Sequence, residues 1–281
     1  MLALVAAVAY GVSDFVGGVA SRRVSALRVV IVSYPISAVV VLALAPIVGG
    51  TITTGGVIWG IVSGLAAGVA VWWFYLALAE GPMSIVSPVT AVVVAGLPVI
   101  VGLAMGERPG VVAMTGITVA LIAVVLVSRE SPDDTAGEVS ARTLRFTKRV
   151  ALLTVGSGVA FGLTFIALHR IGDEGGLWPL VLSRASATLV VWAVALAAHQ
   201  FSAPRGRPLR LAIYVSVLDV VANAAMLYAF HGGLLSLVSV IGALYPAATV
   251  LLAMVMLGER VGRLQQAGML LALAAVAMIS I

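Results

Sequence analysis

Three charged residues lie inside long apolar runs of this chain: Asp14, Arg184 and Asp219. A charge at the centre of a bilayer costs about 2.5–3.5 kcal/mol on insertion scales, so residues kept there are candidates for function. Two readings compete. Either the charges meet a ligand or a proton, or they neutralise one another in a structural pair between Arg184 and an aspartate, as buried ions do. Asp219 has Asn223 four residues on and Met226 seven on, a spacing that puts all three on one helical face. A carboxylate beside an amide in apolar surroundings binds an amine or takes up a proton. Asp219 is thus expected both in a substrate site and as a proton-coupling acid. Asp14, with Gly11, Gly17 and Gly18 nearby to let another helix approach, is the second proton-coupling candidate; otherwise it caps neighbouring backbone.

Aromatic residues supply the rest of the candidate site. Trp72 and Tyr75 lie three apart, with Trp73 beside them, and an aromatic wall suits a cationic or planar ligand. The ordinary alternative for such residues is core packing or an interfacial belt. Tyr34 stands beside Pro35. Tyr245-Pro246 opens backbone carbonyls to a cavity, whereas Pro98 reads as a helix kink. The expected substrate-binding set is Asp219, Asn223, Arg184, Trp72, Tyr75, Tyr34 and Tyr245. An amine or other cation fits the carboxylates and aromatics; Arg184, if unpaired, favours a carboxylate instead. No catalytic residue, metal ligand or cofactor is expected.

The composition says where these residues sit. Of 281 residues 62% are hydrophobic and only 10% charged, against roughly 25% charged in soluble domains, so a water-exposed globule is excluded. Mean hydropathy is +1.19. The apolar runs are continuous rather than alternating, which excludes a membrane β-barrel and leaves a multi-pass helical protein of the cell membrane, partnered by the lipid bilayer. The net charge of +5 comes from basic residues in short connections, a membrane-protein pattern, and nucleic acid is not an expected partner. There is no cysteine, so thiol chemistry is excluded.

Ten apolar spans are expected, at roughly 2–20, 27–48, 57–79, 83–105, 110–128, 150–168, 178–198, 209–230, 234–257 and 264–281. The first includes Ala7-Val8-Ala9, which resembles a signal-peptidase site, but it lacks a basic start and has a counterpart in the sixth span. The counterpart belongs to an internal repeat. Shifting residues 77–128 by 152 positions onto 229–280 gives 17 identities in 52 pairs. Among them are Gly106-Glu107-Arg108 against Gly258-Glu259-Arg260, Gly116 against Gly268, and Ser84, Val86 and Ser87 against Ser236, Val238 and Ser239. With a small gap, Tyr34 takes the position equivalent to Arg184. The domains expected are a first repeat at 1–128, a linker at 129–149 holding Pro132, Asp133, Asp134 and Glu138, and a second repeat at 150–281. Five spans per repeat is odd, so the second repeat enters the membrane from the opposite side. Inverted repeats are the architecture of many secondary transporters.

These residues resemble the ten-helix drug/metabolite transporters of the EamA type. The likeness rests on Tyr10-Gly11 and Phe161-Gly162, on the Gly-Glu-Arg that closes spans 4 and 9, and on Pro88 and Pro246 within those spans. It implies an all-α integral membrane protein of two inverted five-helix repeats that moves small metabolites or drugs by alternating access. It also implies that both termini lie inside. The positive-inside count disagrees: thirteen Lys and Arg flank the odd-numbered loops, among them Arg22, Arg142, Arg207 and Arg263, and the other face has only Arg108 and Arg170, which places both termini outside.

The expected function is a secondary active transporter of a small organic solute, an exporter coupled to a proton or solute gradient, since no P-loop is present to use ATP. The alternatives are a passive channel and an intramembrane enzyme. The latter lacks a nucleophile–base or metal motif, and His169, His199 and His231 have no ligand spacing. A monomer or homodimer is expected. Glu107 and Glu259 read as structural loop residues or gates; Glu80 and His231, at span ends, read as loop residues or proton relays.

Overall fold

In hydrocarbon every backbone N–H and C=O must find a partner inside the protein, and a helix satisfies them within one segment. The computed structural model describes residues 1–128, 147–258 and 262–279, with backbone alone at Met83 and Ser84. Outside the described residues lie most of the expected linker with Pro132, Asp133, Asp134 and Glu138, the arginines at 129, 142 and 145, Glu259 and Arg260, and the last two residues of span 10.

The helices are α1 (Leu2–Ser21), α2 (Ala26–Val48), α3 (Thr54–Glu80), α4 (Met83–Ala104), α5 (Val111–Val127), α6 (Lys148–His169), α7 (Trp178–Ala197), α8 (Arg207–Phe230), α9 (Leu235–Gly242), α10 (Tyr245–Leu257) and α11 (Arg263–Ile279). No strand occurs among the described residues. Eight segments of 20–27 residues are long and apolar enough to cross a bilayer, α9 and α10 together forming one of them. The two further apolar helices, α5 and α11, have 17 residues each, at the short end of a span. The ninth span was expected as one helix and is two. Pro246 sits in the first turn of α10 and has no N–H to continue the ladder, so the chain tightens at Ala243 and Leu244, where Leu244 N–H bonds the Ile241 carbonyl at 3.1 Å. α2 and α4 run unbroken through Pro35, Pro46, Pro88 and Pro98.

The helices fall into two compact units, one of Met1–Val69 with Leu163–Gly233, the other of Ala70–Gly162 with Leu234–Ile281. Each unit draws on both sequence halves, because helices of one half pack mainly against helices of the other. In the first unit α1 lies along α8, and α2 along α7 and α8. Small residues make this possible: Ala3, Ala6, Ala7, Ala9, Gly11 and Ser13 are buried on α1, and Ala212, Ser216 and Ala222 on α8. α3 reaches α7 through four glycines one turn apart. A Cβ at Gly60 would strike the Pro179 carbonyl, one at Gly64 the Ser183 carbonyl, and one at Gly68 the Val190 side chain. Ser63 and Ser183 hydroxyls meet beside this seam at 3.3 Å.

In the second unit α5 lies along α11, and α4 along α9. The glycines matched by the repeat serve the same purpose on each side: a Cβ at Gly116 would stand 2.9 Å from the Ile279 side chain, and one at Gly268 2.8 Å from that of Leu126. Around them Ile117, Ala120, Ala123, Val124, Ala272, Ala275 and Ile279 form one buried cluster.

The Gly-Glu-Arg after α4 divides into three separate tasks. Gly106, at φ +99°, turns the chain out of α4. Arg108 donates to the Leu103 carbonyl left over at the helix end, at 3.2 Å. The Glu107 carboxylate accepts the first N–H groups of α9, from Leu235 at 2.5 Å and Ser236 at 3.0 Å, where orphan donors and the helix dipole both favour a negative group. Glu80 pairs at 3.0 Å with Arg149, an exposed contact of little energetic weight.

Gly64→Val places three carbons where the α7 backbone already sits. We expect it to lower the thermal unfolding midpoint of detergent-purified protein, by the equivalent of about 1–3 kcal/mol for overpacking. Gly55→Val, with open space around its Cβ position, is expected to leave the midpoint nearly unchanged.

Candidate functional site

The polar residues of the first unit converge on one point. Arg184 projects from α7 and is 3% exposed. Its Nη1 donates to both carboxylate oxygens of Asp219 on α8, at 3.1 Å each, and its Nη2 donates to Asn223 Oδ1 at 3.1 Å. Asn223 sits one turn beyond Asp219, so its Nδ2 reaches back to Asp219 Oδ1 at 2.9 Å and to the Asp219 backbone carbonyl at 2.8 Å. From α1, the Tyr10 hydroxyl donates to Asn223 Oδ1 at 2.9 Å. From α2, Ser37 Oγ donates to Asp219 Oδ2 at 2.6 Å, and the Tyr34 ring lies 5.5 Å from the guanidinium carbon. Each Asp219 oxygen therefore accepts two hydrogen bonds, and four helices meet on one ion pair. Of the Arg184 nitrogens, Nε is buried and finds no hydrogen-bond partner among the described residues.

Local sequence explains how α2 delivers Tyr34 and Ser37. Pro35 has no N–H for the carbonyl of Ile31, four residues back, and the Trp192 indole of α7 donates to that carbonyl instead, at 3.0 Å. One proline thus creates the acceptor that docks α2 on α7, one turn before Tyr34 on α2.

Of the residues expected from sequence, Arg184, Asp219, Asn223 and Tyr34 come together. The pair that sequence left open, Arg184 with an aspartate, is formed with Asp219. Asp14 is on the same face of α1 as Tyr10 and within electrostatic range of Asp219, yet it is exposed and makes no hydrogen bond or ion pair among the described residues. Trp72, Tyr75 and Tyr245 belong to the second unit. There Trp72 is exposed, Tyr75 is half-buried beside Phe74, and Tyr245 is half-buried at the start of α10. Trp73, not Trp72, fills the helix seam, its ring 2.7 Å from where a Cβ on Gly156 of α6 would lie. Two members of the cluster were missed from sequence. Tyr10 stood out only as half of an aromatic–Gly pair, although it lies one turn from Asp14; Ser37 carries a usable signal as well, three residues after Tyr34 on the same face.

The EamA-like transporter family model matches residues 1–129 and 148–281. The chain belongs to the EamA-like transporter family. No curated protein matches the sequence. Among solved structures, one described as the crystal structure of a protein is similar at TM-score 0.75 and 15% identity, over 99% of this chain and 94% of that one, a likeness of fold alone. As an EamA-like protein the chain is a multi-pass membrane transporter of small solutes. In this EamA-like transporter the charged residues inside the spans are of two kinds: a locked, fully buried arginine with its aspartate, and an open aspartate one turn from Tyr10.

Removing one partner of a buried ion pair leaves the other charge stranded. Asp219→Asn is expected to cost about 3–5 kcal/mol of stability, against about 1 kcal/mol for Tyr10→Phe, which removes one neutral hydrogen bond. Thermal unfolding of the purified variants measures the difference; equal losses contradict the assignment of Arg184 to Asp219.

Proposed function

We propose that the protein is a secondary active transporter that moves a small organic solute out of the cell, across the cell membrane, by alternating access coupled to a proton or solute gradient. The observation that carries this reading is the repeat of 17 identities in 52 pairs at a shift of 152 residues, with an odd number of spans in each half. Two copies of opposite orientation provide two related arrangements of one protein, open to either side in turn, around a site near the midplane. Charged residues held inside the spans support it, since their cost is repaid by structure or by function. Coupling falls to a carboxylate, and the candidates are Asp14 and Asp219.

Reconstitution in proteoliposomes tests the reading. A carrier exchanges solute faster when unlabelled solute waits on the far side, so counterflow of a labelled solute against its own unlabelled form is expected. Flux that rises linearly with gradient and shows no counterflow contradicts the proposal and identifies a channel.

A further inference from the structure

We infer that the transported solute is a cation, an amine or quaternary ammonium compound, and that Asp14 is the carboxylate that receives it. The inference rests on the transport reading above. It starts from what is already committed. The single buried cation of the first unit, Arg184, spends both Nη groups on Asp219 and Asn223, keeps its unpaired Nε–H buried, lies against the Tyr34 ring and is 3% exposed. An anionic solute therefore finds no open positive group there. Asp219 is equally committed, to Arg184, Asn223 and Ser37. That leaves Asp14 as the mid-span charge of this unit that is exposed and has neither hydrogen bond nor ion pair among the described residues.

With Arg184 matched by Asp219, Asp14 adds one uncompensated negative charge to an apolar segment, and a charge in that position calls for a neutralising partner. The groups in electrostatic range of it are Asp219 on α8, Tyr34 on α2 and Tyr10 one turn away on α1. None of these supplies a free positive charge. A proton or a cationic solute does, and an acid that accepts either exchanges one for the other: the cation arrives as the proton leaves the carboxyl, and the reverse. An anion meets two carboxylates and is repelled. The Arg184–Asp219 pair acts as a positioning group, holding Tyr10, and through it the Asp14 face of α1, against α8.

Full-length protein in detergent is titrated with tetraphenylphosphonium, tetraethylammonium and phenethylammonium, with benzoate and glucose as anionic and neutral controls, and the unfolding midpoint is followed. At least one cation is expected to raise the midpoint of the wild type and of Asp14→Glu, with no rise from benzoate or glucose. In Asp14→Asn the apparent affinity is expected to fall by roughly tenfold or more, the loss of about one ion pair. A merely structural Asp14 instead lowers the midpoint of the free protein and leaves the ligand-induced rise intact. That result overturns the inference, as does a panel in which no cation stabilises the wild type. Counterflow separates the two levels. Counterflow of an anion or neutral solute, indifferent to Asp14→Asn, overturns the inference and leaves the transport reading standing. A cation that binds through Asp14 but is never exchanged across proteoliposomes overturns the transport reading instead.

Discussion

An arginine buried in a membrane-spanning helix is tolerable only if its charge is matched and its terminal nitrogens find acceptors, and this requirement organises the first unit. Arg184 needs the Asp219 carboxylate; the carboxylate needs Ser37 and Asn223; the Asn223 oxygen is shared between Arg184 and the Tyr10 hydroxyl. Each demand recruits another helix, so α1, α2, α7 and α8 are held in one register by polar contacts that an apolar solvent cannot compete for. The apolar packing follows from that register. The Ala-rich face of α1 lets it lie close enough to α8 for Tyr10 to reach Asn223, and the glycines of α3 let it approach the α7 backbone beside Ser183, next to Arg184 in the chain.

The same logic of unsatisfied groups recurs in smaller form. Pro35 frees a carbonyl and Trp192 takes it. The start of α9 presents unpaired N–H groups and Glu107 takes two of them. In both cases a break in regular hydrogen bonding becomes a docking point between helices, which is why prolines and short helices are affordable in this chain. Asp14 stands apart from this pattern. Every other mid-span charge of its unit has its partners built in, and Asp14 has none among the described residues, so the division between scaffold and working group follows from which charges the fold has already satisfied.

The spans were legible because length and hydropathy alone decide whether a segment crosses a bilayer, and their ends fall within a few residues of the observed helices. The break between α9 and α10 was not, since Gly242 to Pro246 is as apolar as its surroundings and other prolines, at 35, 46, 88 and 98, do not break their helices. Periodicity put Asp219, Asn223 and Met226 on one face, but no single helix reveals which face of α7 meets it. For that reason the pairing of Arg184 stayed open in the sequence. Tyr10 and Ser37 were missed for the same reason: a hydroxyl on an amphipathic-looking turn becomes a donor to the cluster only once the neighbouring helix is placed. The four-residue spacing of Gly56, Gly60, Gly64 and Gly68 is plain in the sequence, whereas its partner, the backbone of α7, appears only in three dimensions.

The central claim is that Arg184 and Asp219 form one structural unit whose charges answer each other. The most direct measurement is a double-mutant cycle on unfolding, with Arg184→Met, Asp219→Leu and the two combined. A matched pair predicts that each single variant is much less stable than the parent, while the double variant, with no stranded charge, loses far less than the sum of the two. Losses that simply add would show that the two residues act independently, and would contradict the account.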